Sequence, residues 1–299
     1  MKKRTLGNTL LLLGAMIWGA AFVAQTVGME YVEPFTFQAC RSFLGSFVLI
    51  PVIAFRDRRG YSSKPATRAS RKQTLVAGLT CGMLLFTACS LQQLGLLYTT
   101  AGKSGFITSL YIILVPLLGI AAGKKVHPVI WGSVVLAVIG LFLLCGSENM
   151  GIGKGELLTL GCAAAFAFHI LYIDRISDRV DGVRLSSMQF FVCGSISAIV
   201  MLLFETPNWN AIMQCWLPIC YAGILSSGVA YTFQIIGQAH TDPATASLLM
   251  SLESVFSAVF GWLLLNQALQ LREAIGCLVV FAGVLLAQLP VFRKKGACS

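Results

Sequence analysis

The sequence predicts an all-α integral membrane protein: ten transmembrane helices forming two inverted five-helix repeats, with both termini cytoplasmic. Three observations carry this. Bilayer-length hydrophobic segments recur about every 25 to 30 residues, and a spanning helix needs roughly 20 mostly apolar residues. The 299-residue chain is 57% hydrophobic and 11% charged, with a mean hydropathy of +0.79. Soluble domains average about 25% charged residues, so too few charges exist here to cover a soluble surface. Finally, Lys and Arg fall almost wholly on one side of the spans, the pattern that sets membrane orientation.

The predicted spans, in order, are Leu6–Val27, Pro34–Phe55, Gln73–Leu97, Ser104–Ala122, Val129–Cys145, Glu156–Ile176, Leu185–Phe204, Ala211–Gly237, Pro243–Leu265 and Arg272–Leu289. Pro34, Pro128 and Pro243 stand near span starts, where a missing N–H is tolerated. Met1 to Arg4 followed by an apolar run resembles a signal peptide. The run outlasts the roughly 7–15 residues of a signal core, which predicts an uncleaved first span. One side receives Lys2, Lys3, Arg4, Arg56, Arg58, Arg59, Lys64, Arg68, Arg71, Lys72, Lys124, Lys125, Arg175, Arg179, Arg184, Arg293, Lys294 and Lys295. The other receives Lys103, Lys154 and Arg272, and Arg41 lies inside a span.

The loops are short. The longest, Arg56 to Lys72, is basic and suits a position near anionic headgroups. None can house a catalytic domain or a nucleotide fold, so the protein acts within or across the membrane and no enzyme is expected. The net charge of +10 reads as a topology signal, not as a nucleic-acid footprint. The expected partners are a small-molecule substrate and the lipid bilayer, with a homodimer left open. The ten cysteines form no C-x-x-C pair and no His/Cys metal spacing, so they read as small packing residues. No metal and no cofactor is expected. Gly102-Lys103-Ser104 lacks the earlier glycine of a phosphate-binding loop, because Leu97 occupies that place.

The linker from Gly146 to Gly155 divides the chain into residues 1–147 and 148–299, five spans each. Ala101 to Leu144 and Ala244 to Ala287 run alike: small and hydroxyl residues enter a span, a short turn follows, then a glycine-containing span. An odd number of spans per half forces the halves into opposite topology, the inverted repeat of many secondary transporters.

Several segments resemble the ten-helix EamA-type branch of the drug/metabolite transporter superfamily. They are Ala15-Met16-Ile17-Trp18-Gly19, the Cys40-Arg41-Ser42-Phe43 region, Gly95 through Tyr111 to Pro116, and Ser251-Leu252-Glu253 followed by Leu263 to Gln267. The resemblance covers nearly the whole chain. It implies export or exchange of a solute across the cytoplasmic (inner) membrane by a multi-pass protein, without ATP. The ninth-span signature usually ends in Glu. Here Gln267 stands there, and the matching turn of the first half is Gly123-Lys124.

Candidate site residues follow from polarity inside spans. Arg41 sits mid-span, where a charge costs about 2.5–3.5 kcal/mol on insertion scales. It reads as an anion-binding or gating cation, or as a structural Arg bonded to carbonyls or snorkelling. Glu253 is the one carboxylate well inside a span: a proton-coupling group, a structural protonated Glu, or a partner for Arg41. His169 reads as a packing residue or a substrate contact. Ser227, Tyr231, Gln234 and Gln238 recur at helical spacing on span eight and predict a polar face. Gln92, Gln93, Ser104, Thr108 and Tyr111 add polar groups on spans three and four. Together they predict a water-filled cavity, which the resemblance places among spans one, three, four, six, eight and nine, with Trp18 able to close it. The small residues of span nine suit a sliding element. The function expected is secondary active transport of a small organic solute, an amino acid or related metabolite, by rocking of the two halves. The alternatives are an intramembrane enzyme, or a channel or assembly partner.

Overall fold

Solvent choice decides the packing of this chain: its outside is apolar, and its inside holds the small and polar residues alongside apolar ones. Leu202, Phe204 and Leu278 lie exposed on the exterior, while Gln38, Ser42, Thr159, Ser186 and Gln189 are buried. Hydrocarbon offers no polar partners, so polar groups turn inward and bond across helices.

The computed structural model describes residues 2–60, 68–99, 101–145, 153–265 and 270–288. Lys64, Gly146 to Ile152 of the linker, Gln267, Arg293, Lys294, Lys295 and Cys298 lie outside the described residues. The first half contains α1 (Lys2–Gly28), α2 (Pro34–Arg58), α3 (Arg68–Leu96), α4 (Ala101–Ser109), α5 (Tyr111–Ala121) and α6 (Pro128–Cys145). The second contains α7 (Lys154–Ile176), α8 (Gly182–Phe204), α9 (Trp209–Gln214), α10 (Trp216–Cys220), a π segment (Tyr221–Ala230), α11 (Tyr231–Gln238), α12 (Pro243–Met250), α13 (Leu252–Leu265) and α14 (Leu271–Gln288). Among the described residues there is no strand. Nine helical stretches there are long and apolar enough to cross a membrane, and Pro128–Leu144 is a shorter tenth.

Local chemistry sets the helix starts. Pro34 and Pro243 occupy the first turns of α2 and α12. Asp181 accepts from the backbone N–H of Val183 and Arg184, both at 3.1 Å, and so caps α8. Asp242 caps α12 through the N–H of Thr245 at 2.9 Å. Each cap satisfies donors that a helix start leaves orphaned.

Three spans depart from the sequence reading. Spans four and nine are each two helices, broken at Leu110 and at Ser251. At both breaks an i→i+3 bond tightens the turn: Ile113 N–H to the Leu110 carbonyl at 2.9 Å, and Ser254 N–H to the Ser251 carbonyl at 3.2 Å. The hydroxyls of Ser247 and Ser251 donate to the carbonyls of Ala244 and Leu248, at 2.9 and 2.8 Å. Such back-bonding competes with the helical ladder and bends it. Span eight crosses from Trp216, not Ala211, because Asn208 caps the separate short α9 through the N–H of Asn210 and Ala211.

Helix pairing is symmetric. α2 packs on α8, and α6 on α14. α3 packs on α7 as the span-eight helix packs on α1, and α1 packs on α13 as α7 packs on α4 and α5. Exchanging every span with the one five later leaves this set of pairs unchanged, as two equivalent five-span halves require.

The α2–α8 pair is clipped at both ends. At one, Glu205 accepts from the N–H of Phe35 and Thr36, both at 2.7 Å, and from the Thr36 hydroxyl at 2.8 Å. At the other, Arg56 meets Asp181 at 3.1 Å and Arg184 meets Asp57 at 2.6 Å.

The α6–α14 pair meets backbone to backbone. A Cβ at Gly140 would lie 2.5 Å from the Val280 nitrogen and 2.8 Å from the Gly276 carbonyl oxygen. Gly140→Val should therefore destabilise the fold by about 1–3 kcal/mol, the usual cost of overpacking. Gly132→Ala, with Leu286 Cδ2 at 3.7 Å, should be neutral. Unfolding of both variants in a denaturing-detergent titration checks this.

Candidate functional site

The two broken helices cross at their breaks. The Tyr111 hydroxyl donates to Glu253 Oε1 at 3.2 Å, and the hydroxyls of Ser109 and Ser254 lie 3.1 Å apart. Tyr111 and Leu252 are the first residues of α5 and α13. The crossing therefore gathers two half-helix N-termini, whose partial positive charge favours acceptors such as the Glu253 carboxylate.

A cavity with about 600 Å³ of empty space, its mouth included, opens beside this crossing. Span one contributes Trp18, Phe22 and Gln25, and span two Arg41. Spans three and four add Cys89, Gln92, Thr108 and Tyr111; span six adds Phe166 and Ile170. Spans eight and nine complete it with Ser226, Tyr231, Gln234, Met250 and Glu253. Small-molecule sites have this mix of apolar walls and a few polar groups. The polar wall leans toward the face where α1 ends and α2 begins: Gln25 is in the last turn of α1, and Arg41 lies two turns into α2.

Arg41 is 8% exposed. Its Nη1 donates to Gln25 Oε1 at 3.2 Å, and its guanidinium stands 5.9 Å from the centroid of the Phe37 ring. Gln92 Nε2 donates to the Thr108 hydroxyl at 3.3 Å. Trp18 and Tyr231 meet edge to face with ring centroids 4.8 Å apart, and Phe190 packs on the other side of Tyr231 at 5.0 Å. Among the described residues no cluster of His, Cys, Asp or Glu is large enough to hold a metal ion.

The structure brings Trp18, Arg41, Gln92, Thr108, Tyr111, Tyr231, Gln234 and Glu253 to one cavity wall, and leaves Gln93, His169 and Ser227 off it. Gln93 follows Gln92 directly, so helical geometry turns it about 100° away. His169 is fully buried behind Tyr231, with Nε2 3.1 Å from Gln189 Oε1 of α8. Ser227 faces α2 instead, where a Cβ on Gly45 would meet its Cβ at 2.5 Å. The reason lies in the π segment. Its wide turns bond i to i+5, and the Tyr231 N–H donates to the Ser226 carbonyl. A spacing of five, not four, stacks Ser226 with Tyr231. A direct pair between Glu253 and Arg41 does not form among the described ion pairs.

Sequence reasoning missed Gln25, Ser226, Cys89 and the apolar wall. Gln25 had a signal: Trp18, Phe22 and Gln25 recur at spacings of four and three, one face of a helix. Span two also joins the predicted set of lining spans, through Arg41.

The chain matches the EamA-like transporter family over residues 5–146 and again over 153–289. An uncharacterized transporter of Archaeoglobus fulgidus is 28% identical over 290 residues, covering 97% of this chain and 88% of that protein. The threonine/homoserine exporter RhtA of Salmonella typhimurium is 27% identical over 183 residues, 59% of this chain and 60% of its own length. A solved crystal structure superimposes with a TM-score of 0.78 at 20% identity, covering 95% of this chain and 96% of that one.

The placement of His169 yields a test. His169→Leu should lower stability by about 0.6–2 kcal/mol, the worth of an interhelical hydrogen bond, and leave solute affinity unchanged. Unfolding and ligand titration of the same purified variant separate the two effects.

Proposed function

The chain belongs to the EamA-like transporter family of the drug/metabolite transporter superfamily, and from that premise we propose that it is a secondary active transporter. It exports or exchanges a small organic solute, an amino acid or related metabolite, across the cytoplasmic membrane by alternating access. One observation carries this reading: a cavity with polar groups in its wall sits where two discontinuous helices of an inverted repeat cross. Discontinuous helices at a repeat interface are where secondary transporters place their substrate. The amino-acid reading draws on the partial match to RhtA.

In this reading the repeats rock about the crossing of α4–α5 with α12–α13. Tyr111 and Glu253 are held across it at 3.2 Å, so a rearrangement that parts the helices exposes the carboxylate to solute or proton. Trp18 and Tyr231 form the aromatic floor between the polar wall and the face where the chain starts. That face is assigned to the cytoplasm because Arg56, Lys124, Arg175 and Arg184 gather on it. Residues 1–147 and 148–299 are the two repeats, and the clipped α2–α8 pair, one helix from each, is where they stay joined.

Purified protein in lipid vesicles should exchange L-threonine or another amino acid saturably, with uptake stimulated by solute inside. Conductance without saturation would point to a channel and end the carrier reading. In the same vesicles Glu253→Gln should remove any dependence of transport on a proton gradient, and an unchanged dependence would take Glu253 out of coupling. Epitope tags at the two ends should both react only after cells are opened; a tag accessible in intact cells would overturn the orientation.

A further inference from the structure

Among the described residues Arg41 is a cation without a counter-ion. At the helix ends, Arg56, Lys124 and Arg184 each meet an aspartate. Among the described residues Arg41, over nine-tenths buried, meets the neutral amide of Gln25, the thiol of Cys89 and the face of Phe37. Its Nε has no hydrogen-bond partner among the described residues. Glu253 does not neutralise it, since that carboxylate accepts from Tyr111 at the helix crossing.

A guanidinium offers five N–H donors in a planar fork. Gln25 takes one and fixes the plane, and the side chain lines the cavity together with Gln92 and Thr108. The group that completes such a fork is a carboxylate, which accepts two parallel N–H bonds. A neutral hydroxyl or amide would leave the buried charge uncompensated. A phosphate dianion would call for a second cation, and among the described residues no Lys, His or other Arg lines the cavity.

We propose that Arg41 is the carboxylate-binding subsite of this cavity, positioned by Gln25, and that the transported solute must carry a free carboxylate. The proposal rests on the carrier reading above and narrows it: the acid group of the solute is obligatory.

The test compares acids with their amides. Full-length protein in phosphatidylcholine nanodiscs is titrated with a panel of L-amino acids, their carboxamides and the matching 2-hydroxy acids, and Trp18 in the cavity wall supplies the fluorescence signal. At least one acid should bind saturably, with its amide more than tenfold weaker and its 2-hydroxy analogue closer to the acid. Arg41→Gln should erase the gap between acid and amide, and Arg41→Lys should keep part of it. An amide that binds wild-type protein as well as its acid overturns the proposal without recourse to any variant. So does an acid preference that survives Arg41→Gln in a protein of normal thermal stability. Vesicle exchange of a solute lacking a carboxylate, with no acid bound, sinks the subsite while the carrier reading stands. If nothing is bound or exchanged, the carrier reading itself falls and the subsite with it.

Discussion

Every polar group in this bundle must find its partner inside the protein, because the surrounding hydrocarbon supplies none. That constraint explains the two kinds of interface present. Away from the cavity, helices bond across to one another: Gln38 donates to Ser197 at 3.1 Å, and Gln238 donates to the Ile170 carbonyl at 3.1 Å. At the cavity wall, Arg41 donates to Gln25 and Glu253 accepts from Tyr111. Arg41 Nε and Gln234 Oε1, on two side chains of the cavity lining, are among the buried polar atoms without a partner among the described residues.

The same constraint locates the movable elements. Broken helices carry exposed backbone ends, which are tolerated in a membrane only inside protein or beside water. Both breaks here are enclosed: Ser109 and Ser251 are buried. Clips at both ends of α2 and α8 make that pair a stiff unit. The crossing at Tyr111 and Glu253 is held more lightly, by two side-chain bonds. On the proposed carrier reading, stiff pairs around a lightly held crossing let the bundle change shape at one place.

The spans were legible because twenty apolar residues in a row admit few structures. The breaks were not. Leu110 and Ser251 interrupt their helices by a single tightened turn, and hydropathy is blind to it. Arg41 and Glu253 stood out as charges among apolar neighbours, and Trp18 came with the family likeness. Ser227 was misplaced because a period of 3.6 was assumed where the backbone is wider. Gln25 was overlooked beside the stronger signal of Trp18, although both lie on one helix face. Polarity is written in the sequence; rotation about the helix axis, once the ladder departs from α, is not.

The wide turns of Tyr221–Ala230 belong to one half only, since the corresponding α3 is a continuous α-helix from Arg68 to Leu96. Perfectly equivalent halves would make the two end arrangements of a carrier mirror each other and leave them equal in free energy. Here the exchange of roles is imperfect, because only one half carries the unwound register. On the proposed carrier reading, the empty protein then rests more often on one side than the other, and a bound solute works against or along that bias.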